Sequence, residues 1–230
     1  MTVVCGIDVG SLRTLSYVAW LADGQFELDV YVPSEHRPLP KEPAGWEPAS
    51  HFAIDAPQGM PALGAHCRLA DTEANTPTRR LPNDREHLAI WKLYRGVVEA
   101  GVEMFWAMHE RRLASIYGLG ETAAAPVAME SYPRLVIKRM WPGIEIPSKR
   151  TSPFTYIDRI WGLIRERGYA CRSVVRPTVD QVDAMLCALA AEAASRGEHI
   201  AVGSPPVVDA NARVIREGYI VAPRGSAAAS

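Results

Sequence analysis

Cysteine is scarce in this chain, and what there is excludes the usual metal and disulfide frameworks. Cys5, Cys67, Cys171 and Cys187 lie far apart with no CxxC pair, and Cys5 and Cys187 sit in apolar segments where a buried free thiol is ordinary. The histidines, His36, His51, His66, His87, His109 and His199, show neither HxH nor HExxH spacing, so a zinc site has no support. No stretch of about 18 uncharged apolar residues occurs, which argues against a membrane span. The first residues, MTVVCGIDVG, lack a basic leader followed by an apolar run, so the expectation is a cytoplasmic protein. Nor is there an excess of charge of one sign. The net charge is -1 and the pI about 6.6, so there is no global pull toward nucleic acid, although carboxylates gathered at a centre would cancel basic residues elsewhere. There is no internal repeat.

What is present suits a soluble α/β domain with a large core: 230 residues, 48% of them hydrophobic and 22% charged. One domain over residues 1–223 is expected, with a disordered tail at 224–230. Val3–Val9, Leu15–Leu21 and Phe26–Val32 read as three strands, the last two joined by an Asp23-Gly24 turn. The proline-rich stretch 33–50 is a loop, and His51–Ile54 is a strand stopped by Pro57 and Gly59. Residues 60–82 read as polar loop. Asn83 or Asp84 can then cap one long amphipathic helix running to about Leu113. Ala125–Met129 reads as a buried strand ending at Glu130, after which Tyr132-Pro133 turns the chain. Helices are expected over Pro153–Arg167, stopped by Gly168, and over Val179–Ser195, capped by Thr178 and closed by Gly197. Gly218–Val221 would add a short edge strand.

Three strand ends deliver carboxylates: Asp8 in GIDVGS, Asp55 in AIDAPQG and Glu130 in MESYPR. Loops at strand ends form the crevice in which open α/β sheets bind ligands. A fourth source is TVDQVDAML, where Asp180 and Asp183 are three apart and so lie on one helix face. An Asp at a strand end is also a common turn former, and Asp180 could serve the dipole of the first helical turn. Asp183 stands among Val182, Ala184, Met185 and Leu186, where an acid needs a partner. Several acids aimed into one cleft repel unless neutralised, and Mg2+ or Mn2+, hard cations that favour oxygen, are the natural neutralisers.

This order of elements resembles the ribonuclease H-like superfamily, including Holliday-junction resolvases: a meander, a strand ending in Asp, helices, a strand ending in Glu, a helix carrying Asp. More narrowly, GID, AIDAPQG, ESYP, VDAMLCALAA and EGYIVAP are similar to the domain of unknown function 429 family, predicted ribonuclease H-like nucleases, from Gly6 to Pro223. The resemblance implies a mixed sheet, an antiparallel meander followed by parallel strands, with helices on both faces. It also implies Asp8, Asp55 and Asp183 as a metal-binding core, with Glu130 and Asp180 as further members.

The function expected from these features is a metal-dependent nuclease, hydrolysing phosphodiesters with two divalent ions about 4 Å apart, held by the carboxylates. Catalytic roles fall to Asp8, Asp55, Glu130 and Asp183, and metal binding to Asp8, Asp55, Asp180 and Asp183. Ser11 and the arginines of the 60–82 segment, Arg68, Arg79 and Arg80, are candidates for substrate phosphates, with His66 beside them over the cleft. The partner would be nucleic acid, DNA or RNA. Basic residues between 134 and 172, Lys138, Arg139, Lys149, Arg150, Arg159, Arg165 and Arg167, are interleaved with Trp141, Phe154, Tyr156 and Trp161. That pattern suits a nucleic-acid strand, and equally an amphipathic helix with core aromatics, the preferred reading. Two rivals stay open: a catalytically silent module binding a nucleotide or protein in the same cleft, and an actin-like or sugar-kinase-type phosphotransferase suggested by GIDVGS. The latter requires an open backbone-amide pocket near Gly10 and Ser11.

Overall fold

The computed structural model describes residues 2–77, 80–92, 94–120 and 126–225. It is a mixed α/β structure built on a nine-stranded sheet. An antiparallel meander opens it: β1 (Val4–Asp8), β2 (Ser16–Ala22) and β3 (Gln25–Tyr31). The β2–β3 turn has Asp23 at φ 47° and Gly24 at φ 73°, the positive dihedrals a tight hairpin requires. From β1 the sheet continues in parallel through β4 (His51–Asp55) and β6 (Val127–Ser131), while the short β5 (Ser115–Ile116) pairs with the start of β6. Beyond β6 lie β9 (Val214–Pro223) and, antiparallel to it, the edge strand β8 (His199–Asp209). The two-residue β7 (Ala170–Cys171) closes the other edge against β3. The expected ribonuclease H-like mixed sheet is therefore present, with helices on both faces.

Strand alternation sorts side chains between two cores. Val4, Ala53 and Met129 pack with α6 (Val179–Ser195), whereas Cys5, Ile7, Phe52, Ile54 and Ala128 pack on the other face with α3 (Arg95–Glu110). Helix α6 starts as its sequence prescribes. The Thr178 hydroxyl accepts from the Gln181 amide at 3.2 Å and the Gln181 side chain accepts from the Thr178 amide at 2.8 Å. It then lies directly on β1, because Gly6 has no Cβ: one built there would stand 2.0 Å from the Ala184 carbonyl oxygen and 2.1 Å from the Ala188 nitrogen. Small residues on both partners set the spacing between sheet and helix, and hence how close α6 brings its acids to the strand ends.

Four expectations are corrected. Residues 60–82 contain a short helix, α1 (Leu69–Ala74), with Ala70 and Ala74 buried. The helix expected from 84 to 113 is two: α2 (Arg85–Ile90), capped by the Asp84 carboxylate on the His87 amide at 2.7 Å, and α3. The break has Trp91 extended and Tyr94 at φ 51°, and neither proline nor glycine announces it. Pro133 does not merely turn the chain but occupies the first turn of α4 (Pro133–Met140), where its missing N–H costs nothing. Finally, Gly218–Val221 belongs to the long interior strand β9. The edge is β8, whose Pro205 and Pro206 sit at a register shift between Ser204 and Val207, a place an edge strand tolerates. Helix α5 (Pro153–Glu166) ends before Gly168 as read, and the four cysteines are free. The start of the strand expected at Ala125, and residues 226–230 of the tail, lie outside the described residues. Among the described residues no helix is long and apolar enough to cross a membrane.

Gly6→Ala should therefore destabilise the protein by at least about 2 kcal/mol in urea unfolding, because α6 has to shift as a body. Gly162→Ala in α5, where nothing lies within 4 Å of an added Cβ, should be neutral or stabilising by up to about 1 kcal/mol. Equal effects at the two sites would remove the close-approach explanation.

Candidate functional site

Parallel pairing of β1 with β4 sets Asp8 directly opposite Asp55 in the register, each the last residue of its strand. Both alternate to the α6 face of the sheet, following Gly6 and Ala53. Helix α6, seated on Gly6, presents Asp183 to the same place. The result is a group of three carboxylates, Asp8, Asp55 and Asp183, each offering an oxygen within 4.8 Å of the others.

The surroundings are those of a charged group taken out of water. Burial, with Asp183 and Asp55 beside it, pushes the Asp8 carboxyl well above the ordinary range. Asp55 is pushed by burial up to about 8, against the pull of Lys149. Asp183 is also raised by burial, while Lys149 and Tyr156 hold it down in part. Lys149 Nζ donates to Asp183 Oδ2, and the Tyr156 hydroxyl donates to Oδ1 at 2.6 Å. Burial alone would lower the Lys149 ammonium, but Asp183, Asp55 and Asp8 reverse this and hold it up. Among the described residues the carboxylates of Asp8 and Asp55 accept no hydrogen bond from any protein donor, so their lone pairs face the adjoining pocket.

That pocket holds about 600 Å³. Asp8, Asp55, Lys149 and Tyr156 line its acidic end; Tyr94 and Tyr132 supply further rings, and the exposed Arg134 and Arg150 stand at its wall. Tyr94 gets there through the break between α2 and α3, and Arg150 through the irregular segment between α4 and α5. Of the aromatics read as core, Tyr156 and Trp161 are buried and Phe154 is exposed.

Glu130 does not join the three acids. It lies one residue before the end of β6, on the opposite alternation to Met129 and Ser131, yet it lines the same pocket and its charge acts on Asp55. Arg68, expected at the substrate, is wholly buried and forks onto it: Nη1 to Oε2 at 2.6 Å and Nη2 to Oε1 at 2.8 Å. Arg68 Nε reaches Asp71 Oδ2 at 2.7 Å, the Thr76 hydroxyl reaches Asp71 Oδ1 at 2.7 Å, and the Gln58 amide donates to Glu130 Oε2 at 2.6 Å. Every oxygen of the two acids is thus engaged, and the network ties α1 to the loop that follows Asp55. It is a strut beside the site. Asp180 stands one helical turn before Asp183, half-buried, and acts on Asp8 and Asp183 through its charge from outside the trio. Ser11 lies in the turn after β1, with its hydroxyl 2.9 Å from that of Thr14. Arg80 and His66 line a different pocket with Trp91, and Arg79 lies outside the described residues.

Sequence reasoning placed Lys149 and Tyr156 only in the basic and aromatic pattern between 134 and 172, and did not single out Tyr94, Tyr132 or Arg134 for the site. The signal for Lys149 was a lone basic pair in PSKRTSP, between two prolines that forbid a regular element.

The family model for a protein of unknown function (DUF429) matches residues 6–207. The chain belongs to this family. No curated protein and no solved structure matches it. The family's match takes in Asp8, Asp55 and Asp183 together with Lys149 and the Arg68–Glu130 strut, and stops within β8.

Two outcomes follow. Arg68→Met should cost about 3–5 kcal/mol of stability, because it strands two buried carboxylates; a loss under about 1 kcal/mol in denaturant unfolding would show that the strut carries no weight. The second concerns pH. Asp55 in the folded chain keeps its proton to about 8, whereas in the unfolded chain it releases it near 3.8, the ordinary aspartate range. Between those values the folded state binds the extra proton, so stability in chelator should fall as pH rises from about 5.5 to 8. Asp55→Asn should flatten that fall.

Proposed function

We propose that the chain is a metal-dependent phosphodiesterase acting on nucleic acid, with Asp8, Asp55 and Asp183 holding Mg2+ or Mn2+. The observation that carries this reading is the convergence of the three carboxylates at the end of a pocket while two of them accept no protein donor. The donor set fits such ions: it is all oxygen, without histidine or thiolate, and so favours hard cations. A divalent ion bound there would make water a nucleophile near neutral pH and stabilise charge on the leaving oxygen.

The chain's own residues supply the remaining functions. Arg134 and Arg150 offer guanidinium groups to phosphate oxygens at the wall of the pocket. Tyr94 and Tyr132 offer rings on which bases stack, a mode of recognition that tolerates sequence and suits unpaired strands. The Arg68–Glu130 strut holds the Gln58 amide and with it the loop after Asp55, so that the ligand set keeps its spacing.

The phosphotransferase alternative is the less favoured reading, because amides it would use are already engaged. After β1 the Gly10 amide donates to Ser16 Oγ at 3.2 Å, the Arg13 amide to Ser11 Oγ at 3.1 Å and the Thr14 amide to the Ser11 carbonyl at 3.4 Å.

Incubating the purified chain with Mg2+ or Mn2+ and labelled single-stranded, duplex and branched DNA and RNA tests the proposal. Cleavage of at least one substrate is expected, abolished by chelator and reduced by at least about a thousandfold in Asp8→Asn. No cleavage of any of them, with a melting shift from Mn2+ that Asp8→Asn removes, would leave a silent metal-binding module. Absence of any shift at millimolar ion would overturn the metal site itself.

A further inference from the structure

The cation already present among the acids is Lys149, and the way it is held differs from the way its neighbours are held. Its partner Asp183 is 4% exposed and uses both oxygens, Oδ1 for Tyr156 and Oδ2 for Lys149. A divalent ion taken up through Oδ2 would have the Lys149 ammonium on the same oxygen as its immediate neighbour, whereas the donor on Oδ1 is an uncharged hydroxyl. Tyr156 is fully buried in the α5 core and has nowhere to go. Lys149 lies on the irregular stretch between α4 and α5, its side chain 38% exposed along the wall of the 600 Å³ pocket, with a flexible four-carbon stem. Two cations confined beside the same three carboxylates also repel each other, since a like charge within a few Å opposes the charged form of either.

We propose, resting on the metal-binding reading above, that Lys149 is an exchangeable counter-cation: it neutralises the acidic centre when no metal is bound, and divalent-ion binding displaces its ammonium from Asp183 Oδ2 into the pocket. There it joins Arg134 and Arg150, which line the same space. Metal arrival therefore does two things at once. It completes the centre and it delivers a third positive charge to the volume in which a phosphate group would lie, so phosphate-bearing ligands bind more tightly after the metal than before it. The same exchange lowers the metal's affinity, because the ion must compete with a resident ammonium.

The full chain and its Lys149→Met variant, titrated with Mn2+ by calorimetry, test the exchange, and an amine-reactive reagent with peptide mapping tests the displacement in the unaltered protein. The chain has four lysines, and Lys41, Lys92 and Lys138 are exposed internal controls. Lys149→Met should bind Mn2+ at least about tenfold more tightly than the parent chain, since a like charge has been removed. In the unaltered protein, Mn2+ should raise labelling of Lys149 several-fold while leaving the three controls unchanged. Equal or weaker Mn2+ binding by Lys149→Met, or labelling of Lys149 that stays constant or falls with Mn2+, overturns the exchange while the metal site stands. If Lys149→Met does not fold, the labelling experiment alone decides. If neither protein binds Mn2+, the metal reading fails and the exchange fails with it, a result distinct from equal binding.

Discussion

The parallel register of β1 and β4 is the constraint on which the rest depends. It sets two aspartates side by side at the ends of adjacent strands, where burial makes their charge costly. A sheet can carry such a pair only if something nearby supplies positive charge or protons. Around it the chain places a third acid on α6, a lysine from an irregular segment and a tyrosine from the core of α5. Gly6 makes this arrangement geometrically available, since any side chain there would lift α6 off the sheet and draw Asp183 away.

Much of this was legible in the sequence, for identifiable reasons. The strands β1, β2, β3 and β4 are short apolar runs cut by glycine or proline, and α6 carries a capping box and a glycine stop, signals that act within a few residues. The acids at 8, 55 and 183 could be read because strand ends and helix faces aim side chains in fixed directions. Less was legible where tertiary packing overrode local preference. The α2–α3 break contains neither proline nor glycine, yet Tyr94 takes a left-handed conformation that sets it on the pocket wall. The β8 edge was masked by Pro205-Pro206, which looks like loop until a partner strand is known. Glu130 sat in the sequence much as Asp8 and Asp55 do, after a buried apolar run. What separates it is one residue of register: β6 continues to Ser131 and Glu130 pairs with Ile54 rather than Asp55, so it borders the pocket without joining the three acids. No local pattern reports a shift of one residue.

The two buried charge systems beside each other answer different demands. Arg68 engages Glu130 and Asp71 through three of its nitrogens, with Thr76 and the Gln58 amide occupying further lone pairs. All four carboxylate oxygens are engaged by protein donors. A system this complete costs a great deal to disturb, and its worth lies in fixing geometry rather than in net stability. At the acidic centre, by contrast, Asp8 and Asp55 keep their lone pairs toward a pocket, and burial drives their carboxyls upward because too few donors serve them.

The choice of cation follows the same division. A guanidinium is planar and rigid, gives a fork of donors and loses little freedom per bond formed, so at position 68 it serves as a permanent brace. An ammonium on four methylenes is a point charge that can be held by one oxygen and released by moving its stem alone. At position 149 it stands on an irregular segment beside open volume, bonded to one oxygen of Asp183, whereas the tyrosine on the other oxygen is locked in the core. A fixed guanidinium in that place would neutralise the acids as well, but with bidentate bonds it would close the site to any other cation. On the metal-binding reading proposed above, the lysine would leave three carboxylates compatible with folding in the absence of metal and still open to a stronger competitor, the combination a metal-dependent centre needs if it is to fold before an ion arrives.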